Sequence, residues 1–120
     1  MIGLGSAALR IYIALEPQDM RKSFGGLSDL AMGHLKETLS KDALFVFTNK
    51  RRTRVKLLYF DGTGLWVSAK RLEAGTFSWP KPSTKNQRKM SLSTEALGLL
   101  LDGVDLRGAN FRPWYERDEK

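Results

Sequence analysis

The feature that most constrains this chain is a turn signal, Asp61-Gly62-Thr63-Gly64, set between two runs rich in β-branched and aromatic residues. The runs are Arg54-Val55-Lys56-Leu57-Leu58-Tyr59-Phe60 and Leu65-Trp66-Val67-Ser68-Ala69-Lys70. An Asp-Gly step between two such runs reads as a β-hairpin, because glycine reaches backbone angles that other residues resist and Asp can bond its own turn. If the hairpin closes there, residues near 54–56 lie opposite residues near 69–71, at the open end of the pair.

Two further strands are expected, Leu9–Ala14 and Ala43–Phe47, with a short one at Thr76–Trp79 that Pro80 ends. Asp19 is a candidate N-cap for a helix over about Met20–Leu39, with Met20, Phe24, Leu27, Ala31, Leu35 and Thr38 on one face. Gly25 and Gly26 are costly inside it, so either the helix begins after them or something packs close to the backbone there. A second helix opens at Ser93, buries Leu97, Leu100, Leu101 and Val104, and ends at Gly103. The polar stretch from Lys81 to Met90 reads as an exposed, mobile loop. The order strand, helix, several antiparallel strands, helix defines an α+β fold: a mainly antiparallel sheet with two helices packed against it, in a single domain. That domain is assigned to residues 1–106, and residues 107–120 to a partly flexible tail anchored only by Phe111, Trp114 and Tyr115.

With 120 residues the chain can bury one self-supporting core. It has no cysteine, so disulfides, thiolate metal sites and thiol chemistry are excluded. The start at Met1-Ile2-Gly3-Leu4-Gly5 does not read as a signal peptide, and no apolar run is long enough to span a membrane, so a cytoplasmic protein is expected. The net charge of +7 is unevenly placed. Residues 1–40 hold 4 basic and 4 acidic side chains, residues 41–90 hold 12 and 3, and residues 91–120 hold 4 and 6. All the excess therefore lies in the middle, as a polyanion-binding surface requires, although a basic balance can also serve solubility.

Catalytic chemistry finds little support. His34 is the sole histidine, with only Glu37 at a helical offset, so a structural or solvent role is expected for it and the pair is a weak basis for a metal site. The carboxylates are scattered; Asp19 reads as a cap and Asp61 as a turn residue, and only Glu16 with Asp19 could lend a minor site. The letters Gly3-Leu4-Gly5-Ser6-Ala7-Ala8 lack the preceding strand that a dinucleotide site needs. No catalytic residue, metal or cofactor is expected.

The basic residues are more informative. Lys50, Arg51, Arg52, Arg54 and Lys56 place five cations in seven residues, and Lys70 and Arg71 follow at the end of the partner strand. They read as phosphate contacts, against the alternative of a solvated sheet edge protected from aggregation. Lys81, Lys85, Arg88 and Lys89 form a second, looser arm that could order on binding. Trp66, Trp79 and Tyr59 read as core residues rather than as base-stacking platforms.

Four segments carry a family resemblance: Asp19-Met20-Arg21-Lys22-Ser23-Phe24-Gly25-Gly26-Leu27; Leu44-Phe45-Val46-Phe47 with the basic turn and Arg54-Val55-Lys56-Leu57-Leu58; Asp61-Gly62-Thr63-Gly64-Leu65 with Lys70-Arg71-Leu72-Glu73-Ala74-Gly75-Thr76-Phe77-Ser78-Trp79-Pro80; and Leu100-Leu101-Asp102-Gly103-Val104-Asp105. Over about residues 1–106 the chain resembles the TnpB-type accessory protein, from the second open reading frame, of the bacterial insertion-sequence family sixty-six. The resemblance implies a non-catalytic role in transposition of a bacterial element, beside a separate transposase. Pro82–Met90 and the tail after Arg107 match no motif of that family. The resemblance also suggests a use for Asp19, Arg21 and Lys22; two cations in the first turn of a helix oppose its dipole, which invites phosphate or partner contact. DNA and the transposase are the expected partners, with a pure protein–protein adaptor as the alternative and a cryptic nuclease as the remotest one. The sequence leaves RNA against DNA, the DNA site, the step of transposition affected and the oligomeric state open.

Overall fold

A computed structural model describes residues 9–103. The five strands are β1 (Arg10–Ala14), β2 (Ala43–Thr48), β3 (Arg54–Phe60), β4 (Leu65–Arg71) and β5 (Lys89–Leu92). Helix α1 (Phe24–Asp29) runs on as a π-helical turn, Leu30–His34, and α2 (Thr94–Leu101) closes the described chain. The sheet order is β4-β3-β2-β1-β5. β1 and β2 are parallel, because the α1 crossover lies between them, and every other neighbouring pair is antiparallel. This is the mainly antiparallel α+β arrangement that the sequence implies.

The two helices cover opposite faces, since alternate residues of each strand point to opposite sides. Ile11, Ile13, Leu44, Val46, Val55 and Tyr59 pack with Ala96, Leu97 and Leu100 of α2. Ala14, Phe45, Phe47 and Leu58 pack with Leu27, Ala31 and Leu35 of the α1 crossover. Central β2 is therefore buried along its whole length, and its continuous apolar run follows from that.

The hairpin forms where its turn signal lies. Phe60 pairs with Leu65 around a four-residue loop, and Gly62 takes a φ of 103°. One oxygen of Asp61 accepts from the Thr63 and Gly64 amides and the Thr63 hydroxyl, and the other accepts from the Trp66 indole N–H. These donors hold the Asp61 carboxyl well below the usual carboxylate range. At α2, Ser93 Oγ accepts from the Ala96 amide at 3.0 Å and Gly103 ends the helix at a φ of 80°.

Several expectations need correction. The first helix starts at Phe24, not Met20, and ends at His34. Asp19 does not cap it; its carboxylate accepts from the backbone and guanidinium of Arg21, and Lys22 N–H bonds the Asp19 carbonyl, so residues 19–22 form a turn. Gly26 sits in the first helical turn because a Cβ there would come within 3.0 Å of Lys22 Cβ. Leu27, Ala31 and Leu35 are buried as the periodicity requires, whereas Phe24 is exposed.

Thr76–Trp79 is not a strand. Phe77 and Trp79 are buried pegs, with Phe77 N–H on the Arg52 carbonyl and the Trp79 indole on the Ala14 carbonyl. Lys89 and Met90, read as loop, belong to β5. Trp66, read as core, is 46 % exposed on edge strand β4. Leu101 is only partly buried, and Val104 and the tail anchors Phe111, Trp114 and Tyr115 lie outside the described residues.

Candidate nucleic-acid interface

β1 and β2 finish at the same end of the sheet at which β3 begins and β4 finishes. The cations singled out from the sequence gather at this end. Arg54 pairs across the ladder with Arg71, Val55 with Lys70, and Lys56 with Ala69. Arg54, Lys56 and Arg71 therefore share the face that carries α1. Lys70 is on the other face, where its ammonium donates to the Leu101 carbonyl at the end of α2.

Lys50, Arg51 and Arg52 occupy the β2–β3 turn, which is firmly braced. Asn49 Oδ1 accepts from the Thr53 and Arg54 amides, and Thr48 Oγ1 donates to the Arg54 carbonyl. The carbonyls of Arg52 and Thr53 accept from Phe77 and Leu72. Arg52 adopts a φ of 59°, in the left-handed region that side chains other than glycine and asparagine occupy at a cost. Lys50 and Arg51 are exposed on this scaffold.

The β1–α1 connection brings Arg21 and Lys22 to the same end. Gln18 N–H bonds the Thr48 carbonyl, and Lys56 Nζ donates to the Lys22 carbonyl at 2.7 Å. Arg21 is engaged by Asp19, at 2.8 Å from Nη2 to Oδ2, and this hydrogen-bonded pairing drives the Asp19 carboxyl well below its ordinary range. Arg71 has Glu73 at 3.9 Å, with both side chains largely exposed. Among the described residues, Lys50, Arg51, Arg52 and Arg54 have no ion-pair partner within 4 Å.

Between β3, β4 and the β1–α1 connection lies a cleft of about 350 Å³, lined among others by Met20, Arg54, Lys56, Ala69, Arg71 and Glu73. Met20, expected on the buried face of a helix, and Ala69 line it as well; neither they nor the brace Asn49 were among the expected site residues. An Asn just ahead of a basic run is a turn signal that could have been read; the cleft depends on tertiary packing and had no local signal.

The other expected arm divides. Lys81 and Lys85 are exposed, but Arg88 and Lys89 are engaged near the C-terminal end of the α1 crossover. Lys89 Nζ is 2.6 Å from both Glu37 Oε2 and the Leu35 carbonyl, and lies 5.7 Å from the centre of the Tyr12 ring. His34 Nε2 is buried 3.4 Å from Glu16 Oε1. Among the described residues no group of three His, Asp or Glu side chains could hold a metal ion, and no helix is long and apolar enough to cross a membrane.

Comparison with known proteins agrees with the motifs. Residues 9–110 match the family described as IS66 Orf2 like protein. The uncharacterized protein y4jC of Sinorhizobium fredii is 34 % identical over 113 residues, covering 94 % of this chain and 93 % of its own. The uncharacterized protein y4hO of the same organism is 32 % identical over 99 residues, covering 82 % and 84 %. No solved structure matches. With the family pattern running through the hairpin, the basic turn and both helices, the chain belongs to the IS66 Orf2 like family, the TnpB type named for that insertion sequence.

Proposed function

We propose that this protein is a non-catalytic accessory protein of insertion-sequence transposition that contacts DNA through the basic end of its sheet. Family membership supports the transposition role. The observation that carries the DNA contact is the braced turn holding Lys50, Arg51 and Arg52 beside the cross-strand pair Arg54 and Arg71. Of these, Lys50, Arg51, Arg52 and Arg54 have no ion-pair partner among the described residues and Arg71 has only the exposed Glu73; cations so held on a rigid backbone favour phosphates over solvent and release counterions when they bind. Contacts of this type position a protein on a duplex without reading its sequence. The partner transposase belongs to the same reading.

The test is binding to labelled element-end DNA and to a scrambled duplex across a salt series, with wild type beside a variant carrying Arg51→Ala, Arg52→Ala and Arg54→Ala. The wild type should lose affinity steeply with salt. The variant should bind weakly, with a log–log slope shallower by about 0.9 for each phosphate contact removed. Absence of binding at low salt by folded protein would refute the DNA contact. It would favour instead the adaptor reading, for which Phe24 and Met32, each about half exposed on the α1 crossover, supply apolar contact surface.

A further inference from the structure

The cleft beside the basic turn is built differently from a groove that only follows a phosphate backbone. Arg54 and Arg71 face each other directly on neighbouring strands, and like charges in that position destabilise a sheet. Lys56 is two residues along on the same face, but its ammonium is occupied by the Lys22 carbonyl. Glu73 reaches only Arg71, at 3.9 Å, and is 89 % exposed. The two guanidiniums are therefore left with a shared demand for an anion. Each presents a planar fork of donors that matches phosphate oxygens in bidentate fashion.

The cleft between them is lined by charged and apolar groups alike. Met20 and the Ala69 methyl contribute apolar surface, and backbone binding needs none. A volume of about 350 Å³ suits one small planar group with its substituents, being near the lower end of the range for small-ligand sites. A base stacked inside a duplex cannot enter such a space, but an unpaired one can. Single-strand recognition combines a basic groove with a side-chain surface for unpaired bases, usually aromatic; in this cleft Met20 and Ala69 would take that place.

Resting on the DNA contact proposed above, we infer that this cleft takes one unpaired nucleotide of a DNA strand. Its phosphate lies between Arg54 and Arg71, and its base lies against Met20 and Ala69. Lys50 and Arg51, at the same end of the sheet, hold the flanking duplex.

The full-length protein should be titrated, by fluorescence anisotropy, into a blunt duplex and into the same duplex extended by a short single-stranded overhang. Wild type should bind the overhang duplex about fivefold more tightly, the low end of the scale for one base resting on a side-chain platform. Arg71→Gln should bring the two affinities together. So should Ala69→Glu, which fills the cleft with a like-charged group at an exposed strand position where folding is tolerant, as circular dichroism would verify. Lys50→Gln should weaken both duplexes and preserve their ratio. Equal wild-type affinities for the two duplexes would overturn the nucleotide cleft and leave the DNA contact standing. No binding to either would overturn both.

Discussion

Two groups of basic side chains sit at the same end of the sheet, toward its opposite edges, and their charges meet different things. Near β5, Lys89 is ringed by the Glu37 carboxylate, the Leu35 carbonyl and the Tyr12 ring, and Arg88 reaches the His34 carbonyl. The free carbonyls at the end of a helix carry partial negative charge, so cations are expected there for structural reasons. Near β4, Arg54 faces Arg71, and the turn cations Lys50, Arg51 and Arg52 have no acid within ion-pair distance among the described residues. In sequence the two groups look alike. The backbone decides which cations are used by the fold and which are left for a partner.

The sharpest way to break this distinction is to remove Lys89. Lys89→Ala leaves Glu37 and the Leu35 carbonyl half-buried without their donor, which should cost about 1–3 kcal/mol of stability, read from the urea midpoint. The salt slope of DNA binding by the folded variant should stay at the wild-type value. A stable Lys89→Ala protein with a shallower slope would mean that the β5 group also serves DNA.

A smaller effect separates the two groups by strain. Each contains one residue in the left-handed region, Lys36 and Arg52, both at a φ of 59°. Lys36 follows the π-helical turn, where glycine is the usual choice, and the Glu37 amide closes the end onto the Ala31 carbonyl. Glycine at either position relieves the Cβ clash but adds freedom to the unfolded chain, so Lys36→Gly and Arg52→Gly should each stabilise by about 0.5–1 kcal/mol. Only Arg52→Gly should weaken DNA binding. Strain retained at a cation that binding needs would explain why Arg52 is not glycine.

Smaller again is the effect of relieving the cross-strand repulsion. Arg54→Thr keeps a good strand former and removes one of two facing charges, so thermal unfolding should show a gain of about 0.2–1 kcal/mol. DNA affinity should fall in the same variant. A loss of stability instead would show that Arg54 already has a partner in the free protein.

The difference between the groups also marks how far the sequence could be read. The hairpin, the basic turn and the Ser93 cap depend on residues a few positions apart, and they appear where local chemistry puts them. The convergence of residues 54–56 with 69–71 followed from the turn alone and holds in the ladder. What failed depended on tertiary context. The helical spacing from Met20 to Thr38 was genuine over Leu27, Ala31 and Leu35, but the Asp19 turn and the left-handed Lys36 cut it at both ends. Phe77 and Trp79 look like strand residues because buried pegs and buried strands use the same side chains. Trp66 looked buried because its indole partner, Asp61, is met only once the hairpin has closed. Arg88 and Lys89 looked free because their helix-end partners lie more than fifty residues away in the chain.

Arg21 tests the comparison at its margin, since it belongs to the β4 end but is engaged like a residue of the β5 group. Asp19 holds it through two guanidinium nitrogens. Because that pairing keeps the carboxyl well below the ordinary carboxylate range, lowering the pH to 4 leaves Asp19 charged and Arg21 neutralised. Substitution is the way to release it. Asp19→Asn retains an oxygen for the Arg21 amide and removes the opposing charge. If neutralisation alone keeps Arg21 from phosphates, this variant should bind duplex DNA more tightly, by at most about fivefold because the pair is exposed, with a salt slope steeper by about 0.9. An unchanged slope would place Arg21 outside the phosphate contacts, as a cation whose work is to shape the turn that sets Lys22 over Lys56.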